Sequence, residues 1–538
     1  MRIELPEIRP EERTPPVESL LAVVRQLLDR VRQLEEANQQ LRDEVAVLKG
    51  QKPRPQIRPS QLEASPSPAR GGRPRPRGRK RSKNSQLTIT ADVPLHPPGL
   101  PAGAVFKGYE PYVVQELNIT CQATRYLRAR YVLPDGTSAL APFPAEVLPG
   151  SHYGPGLTRY ILYQYYQAGV TQPLLLEALH DLGVAISAGQ LNRILTEGKE
   201  AFHREKDEVR QAGLATASYV AADDTGARHR GHNGYCTAIG NELFVCFESA
   251  DCKSRLNFLQ VLHGPRRLYA VNETARAYWG RQELAAALVE RLCQGPGEFT
   301  EESAWHARLA ELGVAGERPV RIATEGALLG GLVARGVRPD LGVLSDGAHQ
   351  FDLFVHASCW VHAERPLARM VPHHEEHRAV LERLRQKIWA LYQDLKAYKQ
   401  QPDAAQKPLL EARFDALCAE RTGYPRTDAA LKEMRDHRAD LLRVLERPEV
   451  PLHNNAIESD IREYVKRRKI SGGTRGADGR RCRDTFASLK KTCRKLAVNF
   501  WDYLHDRLCG LGQVPRLADL IRQRAPERHP PPVEAVPL

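Results

Sequence analysis

Three acidic residues stand where their side chains could share a divalent metal ion. YVAADDTG (219–226) is a short run of small and apolar residues that delivers Asp223 and Asp224. LGVLSDG (341–347) is a second such run, delivering Asp346 and then a glycine. Runs of this length and composition read as buried strands, each ending in an acid. The third acid, Glu458, lies in LHNNAIESDIREYVKRRKISGGTRG (452–476). Asn454 and Asn455 can cap a helix start, because asparagine oxygens accept from unpaired backbone N–H groups. Glu458 then falls in the first turn, with Arg462 four residues on and on the same face. Ile457, Ile461 and Val465 mark the adjoining face as buried; the basic run Lys466, Arg467, Arg468 and Lys469 follows, then a flexible SGGTRG turn. Carboxylates are hard oxygen ligands, and Mg²⁺ keeps several of its waters, so a few of them suffice to bind it. Two such ions can stabilise both the attacking and the leaving oxygen of an in-line phosphoryl transfer. Taken alone, 452–476 reads equally well as a capped amphipathic surface helix with a basic end.

Set together, the motifs are more specific. ADDTG, SDGAHQFD with CWVHAER close behind, NNAIESDIR followed by RRKISGGTRG, and RDTFASLKKTCRKLAVNFWDYLHDR occur in this order. Over about 150–507 the chain resembles DDE-type transposases of the bacterial insertion sequence 66 family. The resemblance implies an RNase H-like core, a mixed sheet flanked by helices, with Asp223, Asp346 and Glu458 as catalytic and metal-binding acids. Asp224 stands where the family often has Glu and is the reserve candidate. His453 stands where Asp is more usual, and Ser459 where Arg is common; neither departure removes a carboxylate. The implied cofactor is Mg²⁺ or Mn²⁺, two ions per site. The implied reaction is cleavage of a phosphodiester at the element end, freeing a 3′-hydroxyl that then attacks target DNA. Partners would be double-stranded DNA at the element ends and target, and the accessory proteins such elements often encode. Two other readings share the motifs: a non-catalytic DNA-binding dimer, a domesticated or defective copy acting as repressor, and a structure-specific nuclease of the same fold. Converging carboxylates repel one another, which raises at least one pKa until a cation is bound.

The elements that must position these acids read as a multidomain α+β chain. In 1–50, Val17, Val24, Val31, Asn38 and Val45 repeat at one heptad position and Leu20, Leu27, Leu34, Leu41 and Leu48 at the other. β-Branched residues at a with Leu at d favour two parallel strands, and one Asn at a sets the register. Arg30 with Glu35 and Glu44 with Lys49 have the spacing of interchain pairs, so a homodimer or higher oligomer is expected. Residues 51–85 are rich in Pro, Arg and Ser and read as a disordered basic linker, with Arg77, Arg79, Lys80 and Arg81 drawn to phosphate. Alternation in YVVQELNIT and TRYLRARYVLP suggests a small β-rich module over 86–149. Related transposases often carry a zinc module here, but Cys121 is the region's only cysteine. Within 150–210 two amphipathic segments flank a turn at Gly183, a helix-turn-helix-like pattern in which Ser187 could cap the second helix and Gln190, Asn192 and Arg193 face a DNA groove. Simple packing of two short helices gives the same pattern.

The catalytic domain is expected over 211–510, with GYCTAIG and LFVCFE as further strands of a meander and insertions at about 265–338 and 375–447; 511–538 is a tail. The second insertion is helical, either covering the site or gripping DNA, or simply extending the core. Arg462, Lys466, Arg467, Arg468, Lys469 and Arg475 supply further DNA-binding charge. Cys359 and His362 in CWVH have ligand-like spacing, with His373, His374 and His377 nearby, yet zinc normally needs four ligands and no second cysteine pair is present. A buried Cys and Trp is the simpler reading. The 538 residues carry a net charge of +13, which favours an anionic partner. No apolar run approaches the roughly 18 residues of a membrane span, and no signal-peptide pattern opens the chain. The ten cysteines lack disulfide-like spacing. These features point to a reducing interior, and the resemblance implies the nucleoid-associated cytoplasm of a bacterium.

Overall fold

A computed structural model describes residues 14–48, 87–101, 104–144, 147 and 150–525. The basic linker 51–85, with Arg77, Arg79, Lys80 and Arg81, lies outside the described residues, as do 526–538 of the expected tail. The chain divides into two compact units, one of 64–141 with 177–186 and one of the remainder.

Helix α1, Pro15–Leu48, spans the whole heptad pattern. Leu20, Leu27, Leu34 and Leu41 stand more than half exposed along it, and Asn38 is exposed with them. Glu35 reaches His374, 3.4 Å away in the same chain.

The smaller unit contains one two-stranded ribbon, β1 Arg130–Val132 and β2 Ser138–Leu140, turned at Asp135-Gly136. The β-rich reading of 86–149 is thereby reduced to this ribbon among the described residues. YVVQELNIT forms no strand: Tyr112, Val114 and Leu117 are all strongly exposed. Alternation stabilises a strand only when a second layer covers its apolar side.

The larger unit continues with α2 Pro155–Leu162, a π-helical turn over Tyr163–Ala168, the first half of α3 Gln172–Asp181, α4 Ala188–Thr196 and α5 Glu200–Thr216. Ser187 caps α4 in a full capping box with Gln190.

Its centre is a five-stranded mixed sheet. β3 Tyr219–His229, β4 His232–Gly240 and β5 Val245–Ala250 form an antiparallel meander. The chain then leaves the sheet for α6 Arg255–His263, β6 Tyr269–Ala270, α7 Glu273–Arg281, α8 Ala286–Cys293, β7 Glu298–Phe299, α9 Glu302–Glu311 and α10 Glu317–Ala334. It returns as β8 Gly342–Ser345 beside β3 and β9 Val355–Ser358 beside β8, both parallel to β3. The strand order is β5-β4-β3-β8-β9. Small residues let the excursion pack tightly: a Cβ at Gly326 would overlap the Trp279 ring, and one at Gly331 the Leu268 carbonyl.

After β9 come α11 Trp360–Arg369, α12 Glu375–Gln400, α13 Lys407–Ala419, α14 Pro425–Asp436 and α15 Arg438–Leu441. They share one core, in which Leu384, Ile388 and Tyr392 of α12 meet Phe414, Leu431 and the buried Trp360. These helices extend the core. The last elements are α16 Asn455–Ser471, α17 Ala477–Lys495, α18 Phe500–Cys509 and α19 Leu517–Arg524.

Two of these helices complete the sheet. Ile457, Ile461 and Tyr464 of α16 pack on Ala221, Ala238, Phe247, Leu344 and Ala357. Helix α17 covers the open edge of β5: the N–H groups of Val245, Phe247 and Ser249 donate to Thr492 Oγ1, Ser488 Oγ and Asp484 Oδ2 at 3.2, 2.9 and 2.8 Å. An unpaired strand edge is thereby capped by side chains from one helix face.

Candidate active site

The register of β3 against β8 places two acids side by side. Ala221 pairs with Leu344, and both lie in the core beneath α16. Side chains two apart share a sheet face, so Asp223 lies on the α16 side, and Asp346, just past the end of β8, is near enough for its charge to act on Asp223. β8 ends at Ser345, so Asp346 stands exposed in the following turn, where its Oδ1 accepts from Ala348 N at 3.1 Å. That turn is held from beneath: Ser345 Oγ accepts from Gly347 N at 3.1 Å and bonds His356 Nε2 at 2.8 Å, and His356 Nδ1 meets Asp440 Oδ2 at 3.0 Å. β3 does not end at its acids as the residue pattern suggests. It runs on to His229, because 224–229 keep pairing with β4 around a tight Arg230-Gly231 turn.

Glu458 comes from the first turn of α16. Asn454 occupies the cap position, but its side chain makes no cap bond; the residue is 1% exposed, and neither of its side-chain polar atoms has a hydrogen-bond partner. The expectation of an asparagine cap therefore fails here. Glu458 Oε2 accepts from Arg462 Nη2 at 3.0 Å. Its Oε1 is buried without a hydrogen bond, 3.7 Å from His362 Nε2 and 3.8 Å from Arg365 Nη2.

The three acids sense one another. Asp223 is pushed up to about 7, first by burial and then by the charges of Asp346, Glu458 and Asp224, against a hydrogen bond from Asp224 N that favours ionisation. Asp224 is engaged otherwise. Its Oδ1 accepts from Thr237, its cross-strand partner, and its Oδ2 from Gln350 Nε2 at 3.0 Å. Burial raises its pKa also.

His362, weighed in the sequence only as a possible zinc ligand, and Arg365, which did not stand out there, belong to the setting. Their signal was the three-residue spacing in CWVHAER, which puts both on one face of α11. Burial, with Arg365 beside it, holds the His362 imidazole below its usual range, while Glu458 and Asp346 pull it back up. Cys359 is buried, and burial pushes its thiol up to about 11.

The donor set is right for a hard cation: carboxylate oxygens, one of them unpartnered, around an acid that holds its proton to near neutrality. It is not a closed cage, since among the described residues no three acidic, His or Cys side chains stand close enough to enclose an ion. Mg²⁺ tolerates this, because it is held by one or two carboxylates plus water and substrate phosphate.

The candidate DNA contacts take varied places. Arg462, Lys466 and Lys469 are exposed at positions of α16 that continue the stripe begun by Glu458. Arg467 is drawn inward: its guanidinium lies 4.0 Å over the Tyr165 ring and donates to Val170 O at 3.3 Å. Arg468 lies against Gly226 of β3, and Arg475 is exposed. In α4, Gln190 accepts from Tyr153 Oη at 2.8 Å and Asn192 Oδ1 from Gln172 Nε2 at 3.2 Å, while Arg193 is exposed.

Comparison with known proteins identifies this frame. The family described as Transposase IS66 family matches residues 347–481, from the glycine after Asp346 through the helix that bears Glu458. An uncharacterized protein, y4jO, of Sinorhizobium fredii (strain NBRC 101917 / NGR234) is 39% identical over 318 residues, 58% of this chain and 99% of the relative. The chain belongs to the IS66 transposase family.

Proposed function

We propose that the protein binds the ends of an insertion sequence and catalyses metal-dependent DNA cleavage and strand transfer. The observation that carries this reading is that Asp223 lies two residues past the end of the β3–β8 pairing, Asp346 follows the end of β8, and the helix that bears Glu458 packs on the same sheet. A mixed sheet flanked by helices is what an RNase H-like core requires, and the order β5-β4-β3-β8-β9 supports that assignment. Asp223, Asp346 and Glu458 would hold Mg²⁺ or Mn²⁺. When bound, such an ion lowers the pKa of a coordinated water and offsets charge on the phosphoryl oxygens.

The chain's own residues do the rest. Asp346, at the exposed lip, meets incoming DNA first, and its turn is fixed through Ser345, His356 and Asp440. Asp223 sits deeper and carries the proton that must leave before the site can bind a cation. Arg462 orients Glu458 through one oxygen and leaves the other facing the site. The exposed heptad leucines of α1 support a parallel dimer that brings two ends together.

The test is transposition in cells. The gene is supplied with its flanking DNA and a selectable marker, with wild type and Glu458→Gln side by side. Only the wild type should move the marker. Equal movement by both removes Glu458 from catalysis and overturns the reading. Movement by neither, with the element's accessory genes supplied, favours the repressor reading.

A further inference from the structure

We propose that the tip of the β3–β4 hairpin and the loop 472–475 form one preset clamp for the sugar-phosphate backbone of duplex DNA, reaching beyond the acid cluster. SGGTRG reads as a flexible turn in the sequence, but it is fixed to the hairpin. Thr474 N donates to Arg228 O at 2.9 Å, Arg230 N to Thr474 O at 2.8 Å, and His229 Nδ1 meets Thr474 Oγ1 at 2.8 Å. Arg230 Nε donates to Arg475 O at 3.2 Å, and Arg483 Nη1 to Gly472 O at 3.1 Å. Glycine is needed at 473, since a Cβ there would overlap the Arg228 carbonyl. The hairpin turn itself takes positive φ at Arg230 and Gly231, 49° and 83°, which is the two-residue turn that matches strand twist.

This rigid junction presents the exposed Arg228, Arg230 and Arg475 together. No ion pair to a carboxylate is formed by any of the three among the described residues, whereas Arg480 close by is paired with Asp251 at 2.9 Å. Gathering three unpaired guanidinium groups on a fixed backbone is unfavourable in the free protein, and it becomes favourable against a polyanion. Because their carriers are already ordered, little freedom is lost on binding. Guanidinium groups at a strand end, a turn and a loop, with no helix to enter a groove, suit phosphates and not base edges. Along β3 the tip lies five to seven residues beyond Asp223. At about 3.3 Å per residue that is roughly 16–23 Å, or about 5–7 base pairs from the reacting phosphate. The clamp rests on the transposase reading only for the identity of its partner.

The test measures binding of the full-length protein to a mixed-sequence 30-base-pair duplex across a salt series. Each lost phosphate contact lowers the log–log salt slope by about 0.9. Arg228→Ala/Arg230→Ala/Arg475→Ala should therefore lower the slope by about 2–3 and weaken binding at least tenfold at about 0.1 M salt. The triple Lys variant should restore most of the slope, because phosphate accepts a point charge. Arg276→Ala/Arg281→Ala/Arg318→Ala, three exposed arginines on the excursion between β5 and β8, should leave it unchanged. Equal losses from both alanine triples, or no loss from the first, overturn the clamp. Thermal melting confirms that each variant is folded. This readout needs no catalysis, so it stands or falls apart from the transposition assay.

Discussion

Asp223 shows what the proposed metal site would demand before a cation arrives. Its folded carboxyl holds a proton up to about 7, against an ordinary value of 3.8. Protonation is favoured in the folded state, so this contribution to stability is full below 3.8 and is lost as pH rises through about 7. In chelator, Asp223→Asn should therefore melt above wild type at about pH 8, by an amount worth at most about 4 kcal/mol, and the gap should close toward about pH 4. A gap independent of pH would mean that Asp223 is not strained by its neighbours. Asp346 is different, since it is exposed and the turn around it is held by other groups. Asp346→Asn should abolish cleavage and leave end binding intact; loss of end binding by a folded variant would count against its place in the site. Legibility differed in the same way. Each acid was visible as the terminus of an apolar run or the first turn of an amphipathic helix. The place of His362 and Arg365 beside Glu458 was not, because nothing local to CWVHAER says that α11 starts beside α16.

At the scale of elements, the sheet edge makes its own demand. β5 has a neighbour on one side only, and its outward N–H groups are satisfied by Thr492, Ser488 and Asp484. Ser488→Ala leaves a buried Phe247 N–H without an acceptor and should destabilise the protein by about 1–3 kcal/mol in denaturant unfolding. No change would show that the edge is satisfied in another way. Helix α17 was legible as a helix, whereas its function as an edge cap was not: polar side chains on a buried helix face look like exposed ones until the partner strand is known. The SGGTRG loop teaches the same lesson, since glycine marks both flexibility and close approach, and only the Arg228 carbonyl decides between them. YVVQELNIT errs in the opposite direction, an alternating pattern with no layer to receive it.

For the whole molecule, the question is how copies of the chain meet. Leu20, Leu27, Leu34 and Leu41 form an exposed stripe on α1, which in the proposed parallel dimer a second copy would cover. Leu27→Asp with Leu34→Asp should convert a dimer into a monomer in light scattering and reduce transposition more than binding to a single duplex. A wild-type chain that scatters as a monomer at tens of micromolar would remove α1 as the dimer element. Among the described residues no helix is long and apolar enough to cross a membrane, in keeping with the charged, helical character of the chain.

By itself the sequence determined the local chemistry: the acid-bearing apolar runs that become β3 and β8, the helical heptad segment, the start of α16, and the family to which the chain belongs. Each of these follows from short-range pattern, because periodicity and turn chemistry act within a few residues. Only the tertiary structure decided which acid faces which. The pairing of Ala221 with Leu344 joins segments more than a hundred residues apart, and a slip of one residue would turn Asp223 to the opposite face. The pairing of β3 with β4 sets Asp224 beside Thr237, and Gln350, beyond β8, donates to its other oxygen. Long-range register depends on the packing of α16 and α17 against the sheet, and no short segment contains it.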